Sequence, residues 1–140
     1  MKREAQYTTK FKKWLNVHSD TPTVGAYEIK VTPNKRIPFN AVKEHQIEAL
    51  LAVRYGKFIY KIPDAGWQNP FDLLIMSQQP AYVVLAFMEP RKKAITYIID
   101  IEVFLAIKQE MLEMGIKSVN QDHLNKYVEK HPFLCQCHSI

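Results

Sequence analysis

The triplet Glu28-Ile29-Lys30 has the most chemistry to offer in this chain. In an extended segment, residues i and i+2 project from one face, so the Glu28 carboxylate and the Lys30 ammonium converge on a small volume. A carboxylate placed there can hold a hard divalent cation such as Mg²⁺ through oxygen. An ammonium beside it can steer a phosphate, orient an attacking water or stabilise charge developing on phosphorus. A catalytic magnesium is usually anchored by more than one carboxylate, so a second acid is needed. The spacing is also that of a solvated ion pair on an exposed strand, and the triplet alone favours that plainer reading. Its setting adds weight to the chemical one. Gly25-Ala26-Tyr27 precedes it, a loop with a basic Lys35-Arg36 pair follows, and then comes a helix carrying His45-Gln46.

The elements that must position these residues follow from periodicity. Residues 4 to 16 read as a helix, with Tyr7, Phe11, Trp14 and Leu15 at helical spacing and lysines between them. Residues 26 to 31 alternate as a strand, with Tyr27, Ile29 and Val31 on one face and Ala26, Glu28 and Lys30 on the other. Residues 32 to 39 contain two prolines and read as a loop, and Asn40 is the expected N-cap of a helix reaching Arg54. Strands are expected over 57 to 62, 71 to 76, 81 to 88 and 94 to 99. Asp100 is expected to cap a helix over about 101 to 114. Ser118 or Asn120 caps a last helix ending before Pro132, and the C-terminal tail is expected to fray. The strand over 81 to 88 is apolar on both faces and belongs at the centre of a sheet. This order predicts one domain over 1–140 of α/β or α+β class, a mixed sheet flanked by helices. Its core spans about 4–100 and its C-terminal helices about 101–131.

Composition bounds the partners. Of 140 residues, 47% are hydrophobic and 24% charged, the proportions of a core-forming chain rather than a disordered one. Nineteen Lys and Arg against fourteen Asp and Glu give a formal charge of +5, which permits a polyanionic partner. No apolar run has the ~20 residues of a membrane-spanning helix, and the charged first residues lack the apolar stretch of a secretory signal. A cytoplasmic address is the expectation. Cys135, Cys137 and His138 form a Cys-x-Cys-His cluster, but a structural zinc site needs a second ligand pair, for which only His131 stands near.

The stretch Tyr27-Glu28-Ile29-Lys30-Val31-Thr32, then Pro38-Phe39-Asn40, then Glu44-His45-Gln46-Ile47-Glu48, resembles the PD-(D/E)xK nuclease superfamily. Within it, the pattern is similar to that of RecU-like Holliday junction resolvases and small phage endonucleases. The likeness covers roughly residues 4 to 87 and is most specific over 25 to 50. It implies a restriction-endonuclease-like fold and a Mg²⁺- or Mn²⁺-dependent endodeoxyribonuclease acting on branched DNA as a homodimer. It also admits a phage-encoded protein acting in its host's cytoplasm.

Residue by residue, the resemblance implies that Glu28 is a metal ligand, with the Ile29 carbonyl completing the shell. Lys30 positions or activates the water, and Gln46 supports the lysine or contacts phosphate. Glu4 matches an acid that some branches contribute to the metal. Lys10, Lys12, Lys13, Lys35, Arg36 and His45 are the expected DNA contacts. The departure is the aspartate, which the superfamily presents on a strand upstream. Asp72, in Asn69-Pro70-Phe71-Asp72, resembles the Pro-x-Asp strand displaced downstream and is preferred. Asp20, eight residues before Glu28, is the other candidate. If neither reaches Glu28, the alternative is a catalytically inactive nucleic-acid-binding or accessory protein that keeps the nuclease fold.

Overall fold

The computed structural model describes residues 2–18, 25–63 and 70–140. Strand β5 (Ala81–Phe87) offers almost nothing that needs water, and it lies inside a four-stranded sheet of order β1-β5-β6-β8. Its neighbours are β1 (Ala26–Thr32), which runs parallel to it, and β6 (Ile95–Asp100), which runs antiparallel. The last strand, β8 (Cys135–Ser139), pairs antiparallel with β6. The register opposes Glu28 to Val83, Lys30 to Leu85 and Ile29 to Val84, so β1 brings its charges and its apolar residues to opposite faces.

Each face has its own cover. Ile29, Val84, Ala86 and Ile98 pack against Tyr7 and Phe11 of helix α1 (Lys2–Val17). Val83, Leu85, Tyr97 and Ile99 pack against α2 (Glu44–Tyr55) and α3 (Ile101–Glu113), through Ile47, Leu50, Val53, Phe104 and Ile107. Helix α4 (Gln121–Lys130) adds Leu124 to that second cluster. The product is a single three-layer α+β domain with a mixed central sheet and four helices. Among the described residues, no helix is long and apolar enough to cross a membrane.

The caps at Asp100 and Asn120 form as expected. Asp100 Oδ1 accepts from the Glu102 amide at 3.0 Å, and Asn120 Oδ1 accepts from the His123 amide at 2.9 Å. Four expectations change. Helix α2 begins at Glu44 rather than after Asn40, because Phe39 and Val42 are drawn into the core as a 3-10 turn (Phe39–Ala41). The loop over 32 to 39 holds strand β2 (Arg36–Pro38), paired with β7 (Ser118–Asn120). Strands β3 (Phe58–Lys61) and β4 (Leu73–Met76) form a separate ribbon outside the main sheet. The C-terminal tail is ordered as β8, because Cys135 is apolar enough to bury and the β6 edge would otherwise lie open.

The buried polar groups are paired. Asp100, 1% exposed, meets Arg54 at 3.1 Å, and the hydroxyls of Tyr7 and Thr96 share a hydrogen bond of 2.5 Å. Burial pushes the Tyr7 phenol up to about 12 and the Cys135 thiol likewise to about 12. In the unfolded chain these groups ionise near 10.0 and 9.0, so above those values the unfolded state binds fewer protons. The contribution of these two groups to stability is therefore level up to about pH 8 to 9 and falls as pH rises towards 12. Urea titrations across that interval measure the slope, and Tyr7→Phe should make it shallower.

Candidate functional site

Glu28 and Lys30 stand on the sheet face covered by α2, and the first turn of that helix brings Gln46 over them. Glu28 Oε1 receives Lys30 Nζ at 3.1 Å and Gln46 Nε2 at 2.9 Å. Gln46 is itself fixed from the other side, because its Oε1 accepts from the Lys43 backbone amide at 2.9 Å. One amide thus satisfies the open start of α2 and clamps the carboxylate, and the two bonds settle which end faces which. The Glu28 and Lys30 side chains are 26% and 18% exposed, so the pair is partly desolvated yet open to a ligand. Oε2 of Glu28 accepts no hydrogen bond from the described residues.

Three of the expected site residues are therefore brought together: Glu28, Lys30 and Gln46. Asp72, Glu4 and the lysines of α1 are placed elsewhere. Asp72 lies exposed just before β4, its backbone carbonyl accepting from the Ile62 amide at 2.9 Å, and its carboxylate meets none of the three. Inside an apolar strand Asp72 would need a partner, but exposed on the ribbon it needs none. Asp20 lies outside the described residues. Glu4, Lys10, Lys12 and Lys13 all ride on α1, which covers the opposite face of the sheet from Glu28. No group of three or more His, Cys, Asp or Glu side chains suited to a metal occurs among the described residues. Among the described residues, the carboxylate held at this centre is that of Glu28.

The loop after β1 is divided in its duties. Lys35 is exposed in the turn, whereas Arg36 Nε donates to Ser118 Oγ at 2.6 Å and ties β2 to β7. His45 is exposed on α2 beside Gln46. The Cys-x-Cys-His cluster is taken apart by strand geometry. Cys135 and Cys137 oppose Ile99 and Tyr97, while His138 opposes Thr96 on the other face and packs against Trp14 at a ring distance of 4.7 Å.

Sequence reasoning does not single out Lys43 or Arg54. The first matters through its backbone amide, which carries no side-chain signal. The second marks only a helix end in the sequence, and its long-range partner Asp100 is invisible to local pattern. No protein-family model, curated protein or solved structure matches this chain.

Two outcomes follow from this geometry. Glu28→Gln and Lys30→Ala should each lower the unfolding free energy by about 1 to 3 kcal/mol in urea titrations and leave the domain folded, since each removes one partner of a partly desolvated pair. Any loss of activity in those variants then reports chemistry rather than unfolding. A maleimide probe at pH 8 should label Cys137 first. Cys135, buried and with its thiol raised to about 12, should react only under denaturant.

Proposed function

We propose that this protein is a divalent-metal-dependent endodeoxyribonuclease that hydrolyses DNA phosphodiester bonds, with branched DNA as its substrate. The observation that carries the reading is the convergence of Lys30 and Gln46 on a single carboxylate oxygen of Glu28 at 2.9 to 3.1 Å. The likeness of this stretch to the PD-(D/E)xK superfamily supports it.

The donor chemistry fits Mg²⁺ or Mn²⁺. Oε2 of Glu28 and the Ile29 carbonyl are hard oxygen donors, and a magnesium site often uses one or two carboxylates with substrate phosphate and water filling the rest. When bound, such an ion polarises the phosphoryl oxygens and lowers the pKa of a coordinated water. Asp20, outside the described residues, remains a candidate second acid, whereas Asp72 and Glu4 stand away from Glu28.

The chain's own residues have separate duties. Gln46 holds the Glu28 carboxylate in one rotamer, so little reorganisation is needed when substrate arrives. Lys30, paired with Glu28, faces the phosphate and stabilises the negative charge that grows as water attacks phosphorus and the ester bond breaks. Lys35 and His45, exposed on either side, supply contacts to neighbouring phosphates. Resolution of a junction takes two symmetrical cuts, so the working form is a homodimer. The exposed apolar side chains of the β3–β4 ribbon, among them Ile59, Leu73 and Ile75, offer surface for such an assembly.

A second reading has one observation in its favour. Among the described residues, the one carboxylate at the centre is already engaged by its own Lys30 and Gln46, as expected of an inactive nucleic-acid-binding protein that keeps the scaffold. A nicking assay separates the two. Four-way junction, flap and linear duplex DNA are incubated with Mg²⁺ or Mn²⁺ and wild type, Glu28→Gln or Lys30→Ala. The nuclease reading expects metal-dependent nicking that falls by about 10²-fold or more in each variant. DNA binding without cleavage under all conditions supports the inactive alternative, and undiminished cleavage by the variants removes Glu28 and Lys30 from the site. Asp20→Asn, with Asp72→Asn made separately as its control, tests the second acid.

A further inference from the structure

Arg3 and Lys10 stand seven residues apart on α1, nearly two turns, so they share a helix face about 10 Å apart along the axis. The turn between β5 and β6 brings Arg91, Lys92 and Lys93 against them around a cleft of about 570 Å³. Five cations face one carboxylate there, that of Glu89, which pairs with Lys92 at 3.1 Å. Among the described residues no carboxylate lies within ion-pair distance of the other four cations. Nearly the whole of the chain's formal excess of +5 is thus concentrated at one place. Crowded like charges repel one another, and a polyanion relieves that repulsion. Arg91 sits in the turn with φ 63°, a left-handed conformation uncommon for a residue with a long side chain.

The position of the cleft identifies its occupant. Pro33 and Met88, which also line it, directly follow the ends of the parallel strands β1 and β5, and the Met88 amide donates to the Thr32 carbonyl at 2.8 Å. Lys30 lies three residues back along β1, about 10 Å at the rise of a strand. Phosphates continuing past the end of the sheet from Lys30 would enter the cleft from its rim. The lining offers no Asn or Gln to read base edges. Nor does it offer the exposed Trp, Phe or Leu with which a membrane-docking surface enters lipid.

We propose that this cleft is a backbone-phosphate subsite for DNA, made by Arg3, Lys10, Arg91 and Lys93. It lies beyond the end of β1, on the α1 side of the sheet rather than the Glu28 side. The inference rests on the nuclease reading for the identity of the polymer, but it concerns binding and needs no cleavage. A ligand that spans both places touches the protein on two sides of one sheet edge, as a bent or branched duplex can.

The test is fluorescence anisotropy of a labelled duplex and a labelled four-way junction in EDTA, with affinity measured against salt. The triple variant Arg3→Ala, Lys10→Ala, Lys93→Ala is compared with Lys117→Ala, Lys126→Ala, Lys130→Ala, which removes the same charge from other exposed positions. The cleft triple should weaken binding at least tenfold at 0.1 M salt and reduce the salt slope by about 2 to 3, near 0.9 for each phosphate no longer neutralised. The control triple should leave the slope within about one of wild type. Equal reductions in both triples, or an unchanged slope in the cleft triple, would overturn the subsite. So would binding of wild type to anionic phospholipid vesicles with none to either DNA. Because no metal is present, a reduced slope with no nicking activity elsewhere leaves the subsite standing and removes only the nuclease. Retained nicking with an unchanged slope does the reverse.

Discussion

The parallel pairing of β1 with β5 is the constraint on which the rest depends. Two parallel strands cannot be joined by a tight turn, so the chain must leave the sheet and cross over before it returns. Here that crossover contains α2, which lies on the Glu28 face and buries Ile47, Leu50 and Val53 against β5 and its neighbours. The first turn of α2 then falls over β1, and Gln46 at that turn reaches Glu28. The clamp on the carboxylate is a by-product of closing a parallel pair. With an antiparallel pairing and a short hairpin, no helix would be supplied at that face.

The two faces of β1 divide the molecule's polar and apolar business. Ile29 is buried under α1, which lets Glu28 and Lys30 stay together on the half-exposed face beneath the helix start. Deeper in the molecule, polar groups are tolerated only in pairs. Asp100 combines an N-cap with an ion pair to Arg54, and Tyr7 bonds Thr96 between α1 and β6. No buried side-chain nitrogen or oxygen lacks a partner among the described residues. The same division separates the cations. Those on α1 lie across the sheet from Glu28, and with the β5–β6 turn they build a positive surface at the sheet's end.

Local pattern was a good guide wherever short-range physics sets the outcome. The alternation of residues 26 to 31 placed Glu28 and Lys30 on one face, and the two-sided apolarity of 81 to 88 placed that strand centrally. Asp100 and Asn120 capped their helices because a cap is a contact over two or three residues. The errors came where a distant contact outweighed a local preference. Asn40 is a sound cap candidate, but burial of Phe39 and Val42 shifts the helix start to Glu44. The C-terminal residues read as a tail, yet they complete the sheet because β6 offers them an edge.

By itself the sequence determined the identity of the chemically capable groups, their facing along one strand and the class of domain that carries them. Those follow from the two-residue period of a strand and from the balance of apolar and charged residues. Only the tertiary structure decided that Gln46 closes on Glu28, that Asp72 stands exposed on a ribbon apart from it, and that the α1 cations face the other way. Each of these depends on which elements pack on which face of the sheet. That choice is made by the burial of whole apolar surfaces, and no spacing within a single element records it.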